Sequence, residues 1–283
     1  MAVWNKFYEN KSDPQLLKDI LGKGMFWYLR KLVADDFNAR YDVVIAPPFA
    51  FVTMRFPSPT AGIGTNELIG GLIAITNNNG QGRYFTITGN FGMDIIGQNA
   101  KINALFNQSL CESDESFTFT NLAYYDIKVW SLERFIGYTE LAQLTDIPEY
   151  KDYIVNVPEK KLKKGLIRRF PNVQMSMRTT GLSIYEAMLG AVDVNPSSVN
   201  RYYLRVGSNS PASGRYYVHG REQVDQGGKA REIVLFNTEL IPNGATDIET
   251  DADTWVKVPL FIDILAEPRN GDTENYYELR YEK

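Results

Sequence analysis

The feature that most limits what this chain can fold into is a strict two-residue alternation near its C-terminal end. Val256, Val258, Leu260, Ile262, Ile264 and Ala266 fall on one side of the run, and Trp255, Lys257, Pro259, Phe261, Asp263, Leu265 and Glu267 on the other. Successive side chains of a strand point to opposite faces, so the pattern describes a strand with one fully apolar face and one mixed face. A second strand, REIVLFNTEL from Arg231, precedes it across the acidic stretch IPNGATDIETDAD, and a third, YYELRYEK, follows from Tyr276. In the third, Tyr277, Leu279 and Tyr281 oppose Tyr276, Glu278, Arg280 and Glu282. Between the last two strands lies Pro268-Arg269-Asn270-Gly271-Asp272. Asn-Gly tolerates the positive φ of a tight turn, which predicts a hairpin there.

Upstream the signals are mixed. Ser12 or Asp13 followed by Pro14 forms a helix start, and Leu16, Leu17, Ile20, Leu21, Phe26, Leu29, Leu32, Val33 and Phe37 recur near helical spacing. This predicts an N-terminal helical arm over residues 1–40. Tyr41–Ile45 and Phe49–Phe56 read as strands broken by prolines, which places them at a sheet edge or in an extended arm. GGLIAIT and RYFTIT around a polar Asn/Gly stretch predict a hairpin, Asn99–Leu110 a short helix, and Ser116–Leu122 and Tyr125–Trp130 strands. Residues 131–195 read as an irregular, partly helical insertion, ending in a short amphipathic helix capped by Ser183. RYYLRV from Arg201 and RYYVHGR from Arg215 predict another hairpin. The whole reads as mainly β with some α: an antiparallel β-sandwich or small barrel over 41–283, with a flanking helix and the N-terminal arm.

Charge is separated along the chain. From Gly220 to Lys283 there are seven Lys/Arg and fourteen Asp/Glu, a balance of −7 within a net −4, so the rest sums to +3. Such polarity suits head-to-tail self-association or repulsion of an anionic polymer. The basic run EKKLKKGLIRR, with Lys160–Lys164 at its centre, holds six cations in eleven residues. It reads as an exposed charged loop, a contact for an acidic neighbour, or a phosphate contact; with no aromatic interleaved, a stacking groove for single strands is disfavoured.

Catalytic patterns are absent. His219 is the sole histidine and Cys111 the sole cysteine, which removes multi-histidine and thiolate metal cages and leaves one weak Cys–His pairing. Gly62-Ile63-Gly64 lacks the later glycine of a dinucleotide fingerprint. Asp247, Glu249, Asp251 and Asp253 alternate, but the calcium-loop positions for Gly and Glu are Ala252 and Val258. No catalytic residue, metal or cofactor is assigned. No apolar run is long enough for a membrane helix, and the first residues lack a signal-peptide pattern, so a chain made in a cytoplasm is expected.

The C-terminal quarter, with R-E-I-V-L-F-N-T-E-L-I-P, an acidic loop and T-W-V-K-V-P-L-F-I-D-I-L, resembles the C-terminal part of the tail tube (major tail) proteins of tailed bacteriophages. The likeness runs from about Arg201 onward and includes the aromatic-led strand, Trp255, with a proline, Pro259, in its middle. It implies a structural virion protein, not an enzyme, whose copies close into rings, commonly hexameric, that stack into a tube for DNA ejection. Its partners would be sister copies, other tail proteins and DNA in transit without specific binding, with no membrane. Its location would be the virion tail, after assembly in the host cytoplasm. On that reading Trp255, Val256, Val258, Leu260, Ile262 and Ile264 pair with sister chains, and Glu232, Asp263, Asp247, Glu249, Asp251 and Asp253 face a lumen or a ring contact. Another neck or baseplate component, or a glycan-binding β-sandwich using Tyr202/Tyr203 and Tyr216/Tyr217, is the alternative.

Overall fold

The computed structural model describes residues 24–46, 49–57, 63, 65–76, 84–93, 101–111, 119–139, 141–146, 148–156, 159–179, 183–189, 192–194, 203–205, 214–222, 231–244, 256–269 and 272–281. In chain order the strands are β1 (Met25–Ala46), β2 (Phe49–Pro57), β3 (Leu72–Ile75), β4 (Tyr84–Met93), β5 (Lys101–Cys111), β6 (Tyr124–Trp130), β7 (Arg134–Thr139), β8 (Ala142–Thr145), β9 (Pro148–Asn156), β10 (Glu159–Arg169) and β11 (Asn172–Thr179). The helix α1 (Ser183–Leu189) follows, then β12 (Val192–Val194), β13 (Tyr203–Arg205), β14 (Tyr216–Glu222), β15 (Arg231–Pro242), β16 (Val256–Ile264), β17 (Glu267–Arg269), β18 (Asp272–Asn275) and β19 (Tyr277–Tyr281). The chain is mainly β, as its alternation requires.

The long strand β1 organises the molecule, because it changes partners along its length. Met25–Lys31 pairs with β14 on one edge, and Met25–Leu29 with β7 on the other. Leu32–Arg40 then pairs with β6, and Arg40–Ala46 with β2. Register shifts at Leu32/Ala34 and Asp36/Ala39 separate the two halves. An extra residue on one strand bends it and raises its twist, which lets one strand leave one curved sheet and enter another.

Each half of β1 belongs to a closed antiparallel circuit. The distal barrel runs β1–β2–β5–β4–β3–β6 and back to β1. Its interior holds Tyr41, Met54, Phe56, Ile73, Ile75, Phe85, Ile87, Ile127 and Val129. The proximal circuit runs β1–β14–β15–β16–β11–β7 and back to β1. Trp27, Leu29, Val218, Leu235, Leu240, Leu260, Ile262 and Met177 fill it, and α1 adds Ile184, Ala187 and Met188 to the same core. The proximal circuit is closed between β11 and β7 by the single pair Arg178–Tyr138, whereas its other junctions are ladders of several rungs. Gly220 stands opposite Trp27 in register, and a Cβ there would lie 2.9 Å from the Trp27 indole and 2.7 Å from Met25 Sδ. Only glycine leaves room for the indole.

Several expectations are corrected. Met25–Arg40 is strand, not helix: Phe26, Trp27, Leu29 and Arg30 place buried side chains on both faces of β1, and a run buried on both faces imitates helical spacing. Residues 1–23 lie outside the described residues. β2 is interior to the distal barrel rather than an edge, since β1 and β5 flank it. The Asn99–Leu110 helix is β5, and the irregular 131–195 insertion consists of ordered strands with a seven-residue helix. Among its described residues, Ser116–Leu122 holds a turn and no strand. β13 pairs with β12, and β14 with β1 and β15, so the hairpin expected between them does not form. The PRNGD turn joins the short strands β17 and β18, while β19 pairs with β15. The predicted β3–β4 hairpin and the Ser183 helix are present.

Candidate assembly surface and the charged seam

The strand expected to meet sister chains is occupied within its own chain. β16 pairs with β11 from Val256 to Asp263 and with β15 from Leu260 to Ile264. Val258, Leu260, Ile262 and Ile264 are buried in the proximal core, and the half-buried Val256 packs on it. A ladder between subunits through this strand is therefore a corrected expectation. Burying each of these side chains is worth about 1.5–3 kcal/mol, and the chain gains that by folding alone. Trp255, Asp247, Glu249, Asp251 and Asp253 lie outside the described residues. Asp263 sits half-buried on the outer face of β16.

Glu232 is not a lumen charge. It is 7% exposed and lies in a buried cluster where the two barrels meet. The outer faces of β3, β4 and β6 bring Leu72, Ala74, Tyr84 and Trp130 against Tyr217, Val234 and Phe236 of β14 and β15. Beside this apolar seam, Arg30 donates from Nη1 to the Gly70 carbonyl at 2.6 Å and to the Ser131 carbonyl at 3.2 Å. Its Nε lies 3.7 Å from Glu133. His219 stands between two carboxylates, its Nδ1 3.6 Å from Glu133 and its Nε2 3.7 Å from Glu232, and Arg221 closes the chain 3.5 Å from Glu232. Burial pushes the His219 imidazole down, but Glu133 and Glu232 outweigh it and hold the proton on above the ordinary histidine range. Burial likewise pushes Glu133 up, yet Arg30 and His219 hold its carboxyl below the ordinary range.

This cluster is a joint. Arg30 leaves the strand shared by both barrels, Gly70 sits on the approach to β3, and Glu133 lies in the connection from β6 to β7. Gly70 adopts φ +80°, which aims its carbonyl inward without the cost a side chain would incur. His219, on β14, faces the carboxylates of Glu133 and Glu232, while Cys111 ends β5 in the distal barrel, opposite Phe85. No group of metal-ligating side chains occurs among the described residues. Tyr216 and Tyr217 are both buried, so that pair is not a glycan platform. No helix of the described residues is long and apolar enough to cross a membrane.

The chain matches no protein-family model and no curated protein. Its surfaces must speak for themselves. The basic run, expected as a loop, is instead β10, paired with β9 as a two-stranded sheet separate from both barrels. No third strand pairs with either edge of this ribbon among the described residues. Its base is fastened where Arg169 meets Asp146 at 2.9 Å, and Asp146 also accepts a 2.8 Å hydrogen bond from the Tyr277 hydroxyl on β19. Lysine is depleted from strands, and this segment is a strand through its backbone ladder to β9.

Proposed function

We propose that the chain is a structural protein that assembles with copies of itself, in the manner of a tailed-phage tail tube protein whose rings stack into a conduit for DNA. The observation that supports this most is the β9–β10 ribbon, an antiparallel ladder that belongs to neither barrel. An unpaired strand edge is a template for pairing with another chain, and a chain that retains one has a use for it. Outside the two circuits the described residues hold three separate two-stranded ladders, β9–β10, β12–β13 and β17–β18, of which β9–β10 is the longest. Two rigid barrels joined by one strand and a buried charged seam suit a load-bearing wall unit. The acidic C-terminal quarter supports a wall that repels the DNA backbone and lets it slide. Of the acids expected to face a lumen, Asp263 is half-buried on the outer face of β16, while Glu232 is held in the seam.

The test is negative-stain electron microscopy with light scattering on the purified full chain, across protein concentration and ionic strength. Rings or tubes are expected. A monodisperse monomer under every condition overturns the proposal.

A further inference from the structure

We propose that the mouth of the proximal barrel binds a small single-chain carboxylate amphiphile, with its tail turned inward and its acid head at the rim. This site does not depend on self-assembly. It rests on a cavity of about 310 Å³ between β1, β8, β11, β15 and β19. Barrel mouths are recurrent ligand sites, apolar within and carrying a few polar groups that fix orientation.

The strand pairings build the cavity. β15 changes partner along its length, pairing with β16 over Thr238–Pro242 and with β19 over Arg231–Leu235. β8 runs along β11 and continues the line of β7 beyond Thr139, the partner of Met25. The wall thus extends past the packed core on two sides. Trp27, Val173 and Ile233, all buried, form the floor. Met25, Ala142 and Leu144 pack only partly against the core and form the sides. Leu279 stands opposite Ile233 in register, hence on the same face of the sheet, yet it is 66% exposed. Apolar side chains left half covered around a concavity favour an apolar occupant. At about 30 Å³ for each water-sized group, the cavity has room for roughly ten, the size of a medium-chain fatty acid.

Charge selects the head. Arg231 and Arg280 both line the cavity. Glu232 is the one acid among the lining residues, and it is held by His219 and Arg221. Arg231 lies 3.6 Å from Glu222 and Arg280 3.4 Å from Glu278, and neither glutamate is a lining residue. Partly exposed pairs of this kind contribute little, so a carboxylate whose tail is buried can take their place. A guanidinium offers a carboxylate two parallel hydrogen bonds, whereas an alkylammonium would meet like charge.

Calorimetric titration of the full chain with octanoate tests the site, with octanol as the same tail lacking the charge. Saturable one-to-one octanoate binding is expected, about tenfold or more tighter than octanol at low ionic strength. Leu279→Asp sets an acid on the exposed wall and is expected to weaken octanoate about tenfold or more, with the thermal midpoint unchanged. Arg231→Gln with Arg280→Gln is expected to bring octanoate to the octanol level and leave octanol as it was. Ala142→Phe fills the cavity and is expected to remove both ligands; Leu279→Asp carries this part of the test if that variant does not fold. Absence of saturable octanoate binding overturns the proposal, as does binding that Leu279→Asp leaves unchanged. Octanol bound as tightly as octanoate, in wild type and in the arginine pair alike, overturns the carboxylate. Sedimentation velocity on the same samples covers the other occupant: octanoate that binds only by dissociating assembled protein gives the mouth to a second copy and overturns the ligand.

Discussion

β16 and β10 are the two most heavily patterned strands in the chain, and they have opposite fates. β16 alternates apolar and mixed residues, and its apolar face disappears into the proximal barrel with both edges paired there. β10 is patterned by charge, and it stands outside both barrels with a single partner strand among the described residues. The more apolar a strand, the more strongly its own chain competes to bury it, since intramolecular closure costs less entropy than recruiting a second molecule. Surface for assembly is therefore drawn from what the core does not want. An apolar strand looks like an interface in sequence for the same reason that it becomes interior in the fold.

The seam gives the largest expected contrast with the ribbon. Arg30→Met removes the cation that holds Glu133 and the Gly70 and Ser131 carbonyls. Stripping one partner from a buried charged cluster costs about 3–5 kcal/mol, so chemical denaturation is expected to show a loss of that size. A loss under about 1 kcal/mol would mean that the barrels are joined by their apolar contact alone. In β16, Leu260→Ala empties part of the proximal core and is expected to cost about 2–5 kcal/mol, read by calorimetry. Were Leu260 instead an intersubunit contact, the substitution would change assembly while leaving the midpoint of a dilute monomer alone.

pH sharpens the comparison further, because the seam holds two groups with displaced pKa values, His219 raised and Glu133 lowered. The His219 pKa is raised, so its contribution is fully present below the unfolded value near 6.5 and fades as pH rises through the folded value. The Glu133 pKa is lowered, so its contribution is present above the unfolded value near 4.5 and fades as pH falls through the folded value. Thermal stability is expected to be greatest between those limits and to decline on the alkaline side of the raised histidine pKa. His219→Gln is expected to remove the alkaline decline, and an unchanged profile in that variant would assign it elsewhere. The smallest effect belongs to the ribbon: single Lys160→Ala or Lys163→Ala substitutions are expected to shift stability by less than about 0.5 kcal/mol. A loss of several kcal/mol on denaturation would show that the ribbon belongs to the folded body.

Several elements were legible because their patterning is local. The alternation of β16, the β15 run and the Ser183 helix start each read directly from neighbouring residues. β1 and β5 were not legible as strands. In β1, Phe26, Leu29, Leu32 and Val33 fall at helical spacing because a strand buried on both faces loses its alternation. In β5, Ile102, Leu105 and Phe106 share that spacing, and only the ladders to β2 and β4 make the segment a strand. The seam was also hidden. Arg30, Glu133, His219 and Glu232 are scattered through some two hundred residues, and single charged residues on strands ordinarily face solvent. A faint signal existed at Glu232 and His219, charged or titratable residues set inside otherwise apolar strands.

By itself the sequence determined that this is a β protein, that β16 has a single apolar face, and that its charge is divided between a basic run and an acidic quarter. These follow from side-chain direction and composition, which act over a few residues. Only the tertiary structure decided which strands close on one another, that one long strand serves two barrels, and that the basic run is a ribbon left outside them. Those outcomes depend on competition among strands for partners far away in the chain, and a one-dimensional pattern does not record who wins that competition.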